Sequence, residues 1–157
     1  MLLTTVRSAR RSATRRAAFT LLEVLVVVAI LVILATVATV ATTRYLETAK
    51  KSKAQLQAAN IAKAVDAFMT DPNNAGMELQ DLTDLAVAQP GYGTAYLKNG
   101  VEDLQTPWNG TFAVKKIEGG NGDGSDLYLI WTQAPDQTYI TQFGVGAASR
   151  FQQYGGQ

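Results

Sequence analysis

The chain has no cysteine and no histidine. Without cysteine there is no disulfide framework, thiol nucleophile or thiolate metal site. Without histidine the commonest general base and the commonest metal ligand are both missing. Ser/His/Asp and Cys/His constellations are therefore excluded, and no pair of carboxylates has a spacing that points to catalysis by acids alone. No catalytic residue is expected. Acids are also missing from the first 22 residues, where Arg7, Arg10, Arg11, Arg15 and Arg16 stand alone. These five account for much of the basic charge, and the other nine basic residues face thirteen acidic ones. A mildly acidic remainder speaks against nucleic acid as a partner.

Charge of either sign is missing from Val24 to Thr43. As a helix, these twenty positions span roughly 30 Å, the thickness of a bilayer's hydrocarbon core. The arginines before them predict a cytoplasmic N-terminal side. A cleaved secretory signal would have a shorter apolar region and a clear small-residue cleavage site, and Ala41-Thr42-Thr43 offers only a weak one. A buried core helix does not fit either, because the run is apolar on all faces and the remaining chain is too small to wrap it. A plain signal-anchor accounts for the length and the arginines but leaves Glu23 unexplained.

Glu23 stands at the head of the apolar run. A carboxylate within a membrane segment implies a function and a cationic partner. The nearest cation in the chain is Arg16, seven residues earlier. A cut just before Phe19 would create an α-amino group one helical turn from Glu23, able to pair with Glu23 of a neighbouring copy.

RRAAFTLLEVLVVVAILVILA resembles the class III signal of type IV pilins and type II secretion pseudopilins. The resemblance implies that a prepilin peptidase cuts between Ala18 and Phe19. It also implies methylation of the new Phe19 terminus and a docking role for Glu23 in assembly. Ala18 stands where the family almost always has glycine. Val40 stands where it usually has a helix-bending proline, so the helix is expected to continue without a kink.

Beyond Arg44 the composition turns charged and amphipathic. Ala54, Ala58, Ile61, Val65 and Phe68 recur at helical spacing, with Ala62 and Met69 beside them, and predict a core-facing stripe ending near Asp71–Asn74. A turn is expected from Asn73 to Gly76. Glu78 to Val87 reads as a short helix with Leu79, Leu82, Leu85 and Ala86 on one face. Gln89 to Gly93 breaks it, and an irregular stretch follows to Gly110. Thr111–Ile117, Leu127–Thr132 and Thr138–Phe143 read as three strands of an antiparallel meander, joined by GGNGDGSD and APDQ. The Gly/Ala/Gln-rich tail after Phe143 is expected to fray.

This order is similar to the major pseudopilin of type II secretion, the G subunit, and YLKNGVEDLQTPWNGTF resembles a stretch of it. Trp108 within that stretch is expected to plug the core. The resemblance would place calcium in the loop between the last two strands, Thr132 to Gln137. That loop has one acid, Asp136, and calcium takes six to eight oxygens. The calcium site is therefore expected to be lost, and no cofactor or metal is expected. Asn121, Asp123 and Asp126 loosely resemble a calcium loop but lack its full spacing and its final glutamate; a solvated turn is expected there.

The expected fold class is α+β: a long N-terminal helix packed on a small three-stranded antiparallel sheet. Residues 1–18 are expected to be a cleaved leader, 19–43 a transmembrane and filament-core helix, and 44–157 a periplasmic domain held by one span in the inner membrane. The expected function is that of a non-enzymatic pseudopilus subunit for protein export. Its expected partners are copies of itself, the peptidase, the inner-membrane secretion platform, minor pseudopilins and, before assembly, lipid. A type IV pilus subunit for adhesion, motility or DNA uptake, and an anchored periplasmic binding domain that never polymerises, are the alternatives.

Overall fold

The computed structural model describes residues 19–74, 77–87 and 95–154. The chain divides into two compact units, Met1–Thr42 and Thr43–Gln157. One helix, α1 (Leu21–Thr70), supplies the described helical residues of the first and the backbone of the second. It passes through Val40 without interruption, as the absence of proline there allows.

In the first unit, every described residue is exposed. Leu21 is 83% exposed and Leu31 is 58% exposed. The segment is long and apolar enough to cross a membrane, with a mean hydropathy of 3.1 in its apolar window. Its threonines do not leave hydroxyls unpaired. Thr36, Thr39 and Thr42 donate to the carbonyls of Val32, Ala35 and Ala38 at 2.8–2.9 Å, each four residues back.

In the second unit, α1 is amphipathic and buries Ala54, Ala58, Ile61, Ala64, Val65 and Phe68. The predicted stripe is thus the core face; Met69, expected beside it, is exposed. Helix α1 stops before Asp71, and Pro72–Asn74 form a 3-10 turn. Asn74 is buried and tied down: its side-chain amide donates to the Phe68 carbonyl and to the Tyr96 hydroxyl, which in turn donates to Asp71 at 2.7 Å.

The helix expected over Glu78–Val87 is shorter, a single turn α2 (Thr83–Ala86). The Asp81 carboxylate accepts the Thr83 N–H at 3.0 Å, a local turn that competes with helix before that point. Leu79, Leu82 and Leu85 are buried all the same. A 3-10 turn, Gly100–Leu104, lies in the stretch expected to be irregular.

The sheet has four strands in the order β1-β2-β3-β4, all antiparallel: β1 (Ala113–Ile117), β2 (Leu127–Gln133), β3 (Tyr139–Thr141) and β4 (Gly144–Val145). The three expected strands are present, β1 and β3 shorter than expected and β2 one residue longer, and β4 is additional. Tyr128 and Ile130 of β2 join the cluster formed with α1, as do Phe112 and Ile140. Leu129, which alternates with them, is fully buried too. A strand covered on both faces explains the continuous apolar run LYLIW.

The tail does not fray where it is described. After β4, a 3-10 turn (Gly146–Ser149) leads to Phe151, which is only 4% exposed. Its ring stacks on Tyr139 at 4.1 Å and lies 4.7 Å from Trp131. The Thr141 hydroxyl donates to the Ser149 carbonyl at 2.6 Å. Gln142 bridges back to β2, accepting the Ile130 N–H and donating to the Tyr128 carbonyl, both at 2.9 Å. Aromatic stacking and these bonds fix a stretch whose composition alone reads as loose.

Candidate functional site

Three places carry the expectations of the sequence: the start of α1, the loop between β2 and β3, and the loop between β1 and β2. Phe19 and Thr20 precede the helix, and Phe19 is 78% exposed. Glu23 lies in the first turn, where the positive end of the helix dipole favours an anion. Its backbone N–H donates to the Thr20 carbonyl at 3.1 Å and to the Thr20 hydroxyl at 3.2 Å. Thr20 was not among the residues singled out from the sequence. The signal for it was available, as a threonine three residues before a glutamate at the head of an apolar run. Ala18 and the leader, residues 1–18, lie outside the described residues.

The β2–β3 loop is closed by its own backbone. Ala134 N–H donates to the Thr138 carbonyl at 3.0 Å, and Gln137 N–H to the Ala134 carbonyl at 2.9 Å. Asp136 accepts the Thr138 N–H at 3.2 Å and forms an ion pair with Lys51 of α1. Lys51 also reaches the Thr138 hydroxyl at 3.4 Å. The bond from the Lys51 ammonium, aided by Thr138, pulls the Asp136 carboxyl down to about 2. The single acid of this loop thus already has a cation, supplied by the helix.

The β1–β2 loop is built the same way. The Asn121 amide donates to the Ser125 hydroxyl and the Asp126 carbonyl, both at 3.0 Å. Asp123 accepts the Ser125 hydroxyl at 2.6 Å and its N–H at 2.9 Å, which lowers the Asp123 pKa. Asp126 pairs with Lys116 at 3.1 Å and accepts the Gly119 N–H at 3.2 Å; the Lys116 bond is the larger cause of its lowered pKa. Lys116 also pairs with Glu78 at 2.5 Å, and its own pKa is raised, first by Glu78 and then by Asp126. The acids of this loop bond within the loop and to Lys116. Among the described residues, no three acids gather closely enough to hold a metal ion.

Trp108 is half-buried and packs against the core cluster. Its indole N–H donates to Glu47 of α1 at 3.2 Å. The turn that presents it is fixed at Thr106, whose N–H donates to the Gly110 carbonyl while its hydroxyl accepts the Gly110 N–H. Asn109 takes the left-handed conformation needed in that turn, with φ of 61°. Trp108 therefore does serve as packing, with a polar tether to the helix besides.

No curated protein and no solved structure matches the chain. Residues 13–39 match the family model described as the prokaryotic N-terminal methylation motif, and that match spans Phe19, Thr20, Glu23 and most of the exposed apolar part of α1.

Proposed function

We propose that the chain is a structural subunit of a type II secretion pseudopilus, not an enzyme. One observation carries this reading: from Leu21 onward the matched motif is a helix whose residues are all exposed, so it requires lipid or other copies around it. In the proposed sequence of events the precursor sits in the inner membrane with residues 44–157 in the periplasm. A prepilin peptidase then hydrolyses the Ala18–Phe19 bond. Water supplies the hydroxyl that completes the Ala18 carboxyl group and the hydrogen that completes the Phe19 amine. The amine nitrogen then takes a methyl group from a sulfonium-type donor, which leaves as the neutral thioether, and the amine loses a proton.

The freed helix packs with copies of itself, and Glu23 of one copy pairs with the Phe19 amine of another. Leaving Glu23 unpaired inside such a bundle costs several kcal/mol, which penalises a wrong register. The secretion reading over a pilus reading rests on the likeness of YLKNGVEDLQTPWNGTF to the G subunit. Its assembly partners would be the inner-membrane platform and minor pseudopilins.

The test has two parts. Intact mass of the membrane-extracted protein should correspond to a chain beginning at methylated Phe19; an uncut chain would support an anchored domain instead. Glu23→Ala should leave membrane insertion intact and abolish filaments. Normal filaments from that variant would refute the pairing.

A further inference from the structure

Asparagine is followed by glycine at Asn99-Gly100, Asn109-Gly110 and Asn121-Gly122. All three asparagines are exposed. In such a step the backbone nitrogen of the glycine is able to attack the asparagine side chain, because glycine has no Cβ to hinder the approach. The nitrogen attacks only after losing its proton, so a hydrogen bond that holds its N–H must break first.

The structure separates the three steps. Gly100 N–H donates to the Leu97 carbonyl at 3.3 Å, and Gly110 N–H donates to the Thr106 hydroxyl at 3.0 Å. Leu97 and Thr106 are both buried. Asn99 is held besides by Asp103, which accepts its backbone N–H and its side-chain amide, both at 2.9 Å. Gly122 N–H has no acceptor among the described residues. A Cβ built on Gly122 would meet nothing within 4 Å, so the peptide there is open to water and base. The Asn121 side chain is tied to the Ser125 hydroxyl and the Asp126 carbonyl. Ser125 and Asp126 are exposed, and water replaces such bonds at small net cost.

We propose that Asn121 is a modification site: of the three steps, it is the one that converts to aspartate and isoaspartate in the folded protein. The Gly122 nitrogen gives its proton to solvent and bonds to Asn121 Cγ. The Cγ–Nδ2 bond breaks, and Nδ2 takes up a proton and leaves as ammonia. Water then opens the five-membered ring, returning a hydrogen to the Gly122 nitrogen. Its hydroxyl adds to Cγ, which gives aspartate, or to the backbone carbonyl carbon, which gives isoaspartate. An ionised carboxylate cannot donate to Ser125 or Asp126. It also adds negative charge to a loop that already holds Asp123 and Asp126. Isoaspartate further adds a carbon to the main chain, in a turn closed by the bond from Asn121 N–H to the Ser125 carbonyl at 3.1 Å. The end of the β1–β2 hairpin is thereby loosened.

The experiment ages the full-length chain, extracted from membranes, in mildly alkaline buffer. Peptide mass mapping then follows each asparagine, with chromatography to separate aspartate from isoaspartate. Asn121 should convert about tenfold faster than Asn99 or Asn109, the scale of one hydrogen bond that need not break. In denaturing urea the three rates should converge. Gly122→Ala should stop most of the conversion at Asn121, because a Cβ hinders the attacking nitrogen, while the open space at that position lets the loop keep its shape. Asn99 or Asn109 converting as fast as Asn121 in the folded chain overturns the proposal. So does conversion of Asn121 in urea alone or not at all, which would mean that its ties to Ser125 and Asp126 protect it. An unchanged rate in Gly122→Ala overturns it as well, since water would then be attacking the side chain directly.

Discussion

Between Leu21 and Thr42, α1 exposes every side chain; between Ala54 and Phe68 it buries six. The backbone is one helix throughout, so the difference lies in the side chains. The first stretch is apolar all round and has no face to choose. The second restricts its apolar residues to one stripe, and small alanines alternate there with Ile61, Val65 and Phe68 so that sheet and loops can approach. One part of the helix satisfies its hydrophobic demand within its own chain. The other must be satisfied from outside.

Core truncation should break this comparison most sharply. Ile61 is 1% exposed, and Ile61→Ala should cost about 2–5 kcal/mol in urea unfolding followed by tryptophan fluorescence. Both tryptophans, Trp108 and Trp131, lie in the second unit, so the signal reports that unit alone. Leu31→Ala should leave the same transition within about 0.5 kcal/mol. A large shift from Leu31 would mean that the two stretches do not satisfy their apolar surfaces independently.

A smaller effect should come from the segment that ends the domain. A Cβ on Gly144 would stand 2.8 Å from the Ala148 Cβ and 2.9 Å from its carbonyl oxygen. Because one of these is backbone, Gly144→Ala should cost about 1–3 kcal/mol and shift the urea midpoint accordingly. An unchanged midpoint would mean that β4 and the turn after it add nothing to the fold.

The smallest effect concerns charge. The folded-state pKa of Asp136 lies at about 2, below its ordinary value of 3.8. Its stabilising contribution is therefore fully present above about pH 4 and is lost as the pH falls towards 2. Asp136→Asn should destabilise the domain slightly at pH 7, and the difference from wild type should vanish near pH 2. Lys51→Met should behave alike, since it removes the other half of the pair. A penalty that persists at pH 2 would assign it to the loop's backbone bonds.

The stripe of α1 was legible because it repeats a period of 3.6 over several turns, and the three main strands because short runs rich in β-branched and aromatic residues are set between turn signals. The apolar run and Glu23 were legible by contrast of charge. Strand β4 was not, because Gly144-Val145 is too short to carry a period and its partner is set by a turn. The buried tail was not, because its hold is a stack between Phe151 and two strand aromatics far away in sequence. The lone aromatic in a Gly/Ala/Gln stretch was the available hint. Helix α2 was read too long because the leucine spacing is met by a looped chain as well as by a helix, and Asp81 favours the loop. Thr20 was not legible by contrast, because it is uncharged and its role shows only in its spacing to Glu23.

The threonine hydroxyls of the exposed stretch have a consequence for transfer between environments. Thr36, Thr39 and Thr42 keep their bonds within the helix itself. Exchanging lipid for neighbouring helices therefore changes none of these three polar bonds. Charge is likewise missing from Val24 to Thr43. The one ionisable side chain in the described part of this unit is Glu23, at its very start. The stretch is thus nearly indifferent to which apolar medium surrounds it, and it senses the difference at a single carboxylate.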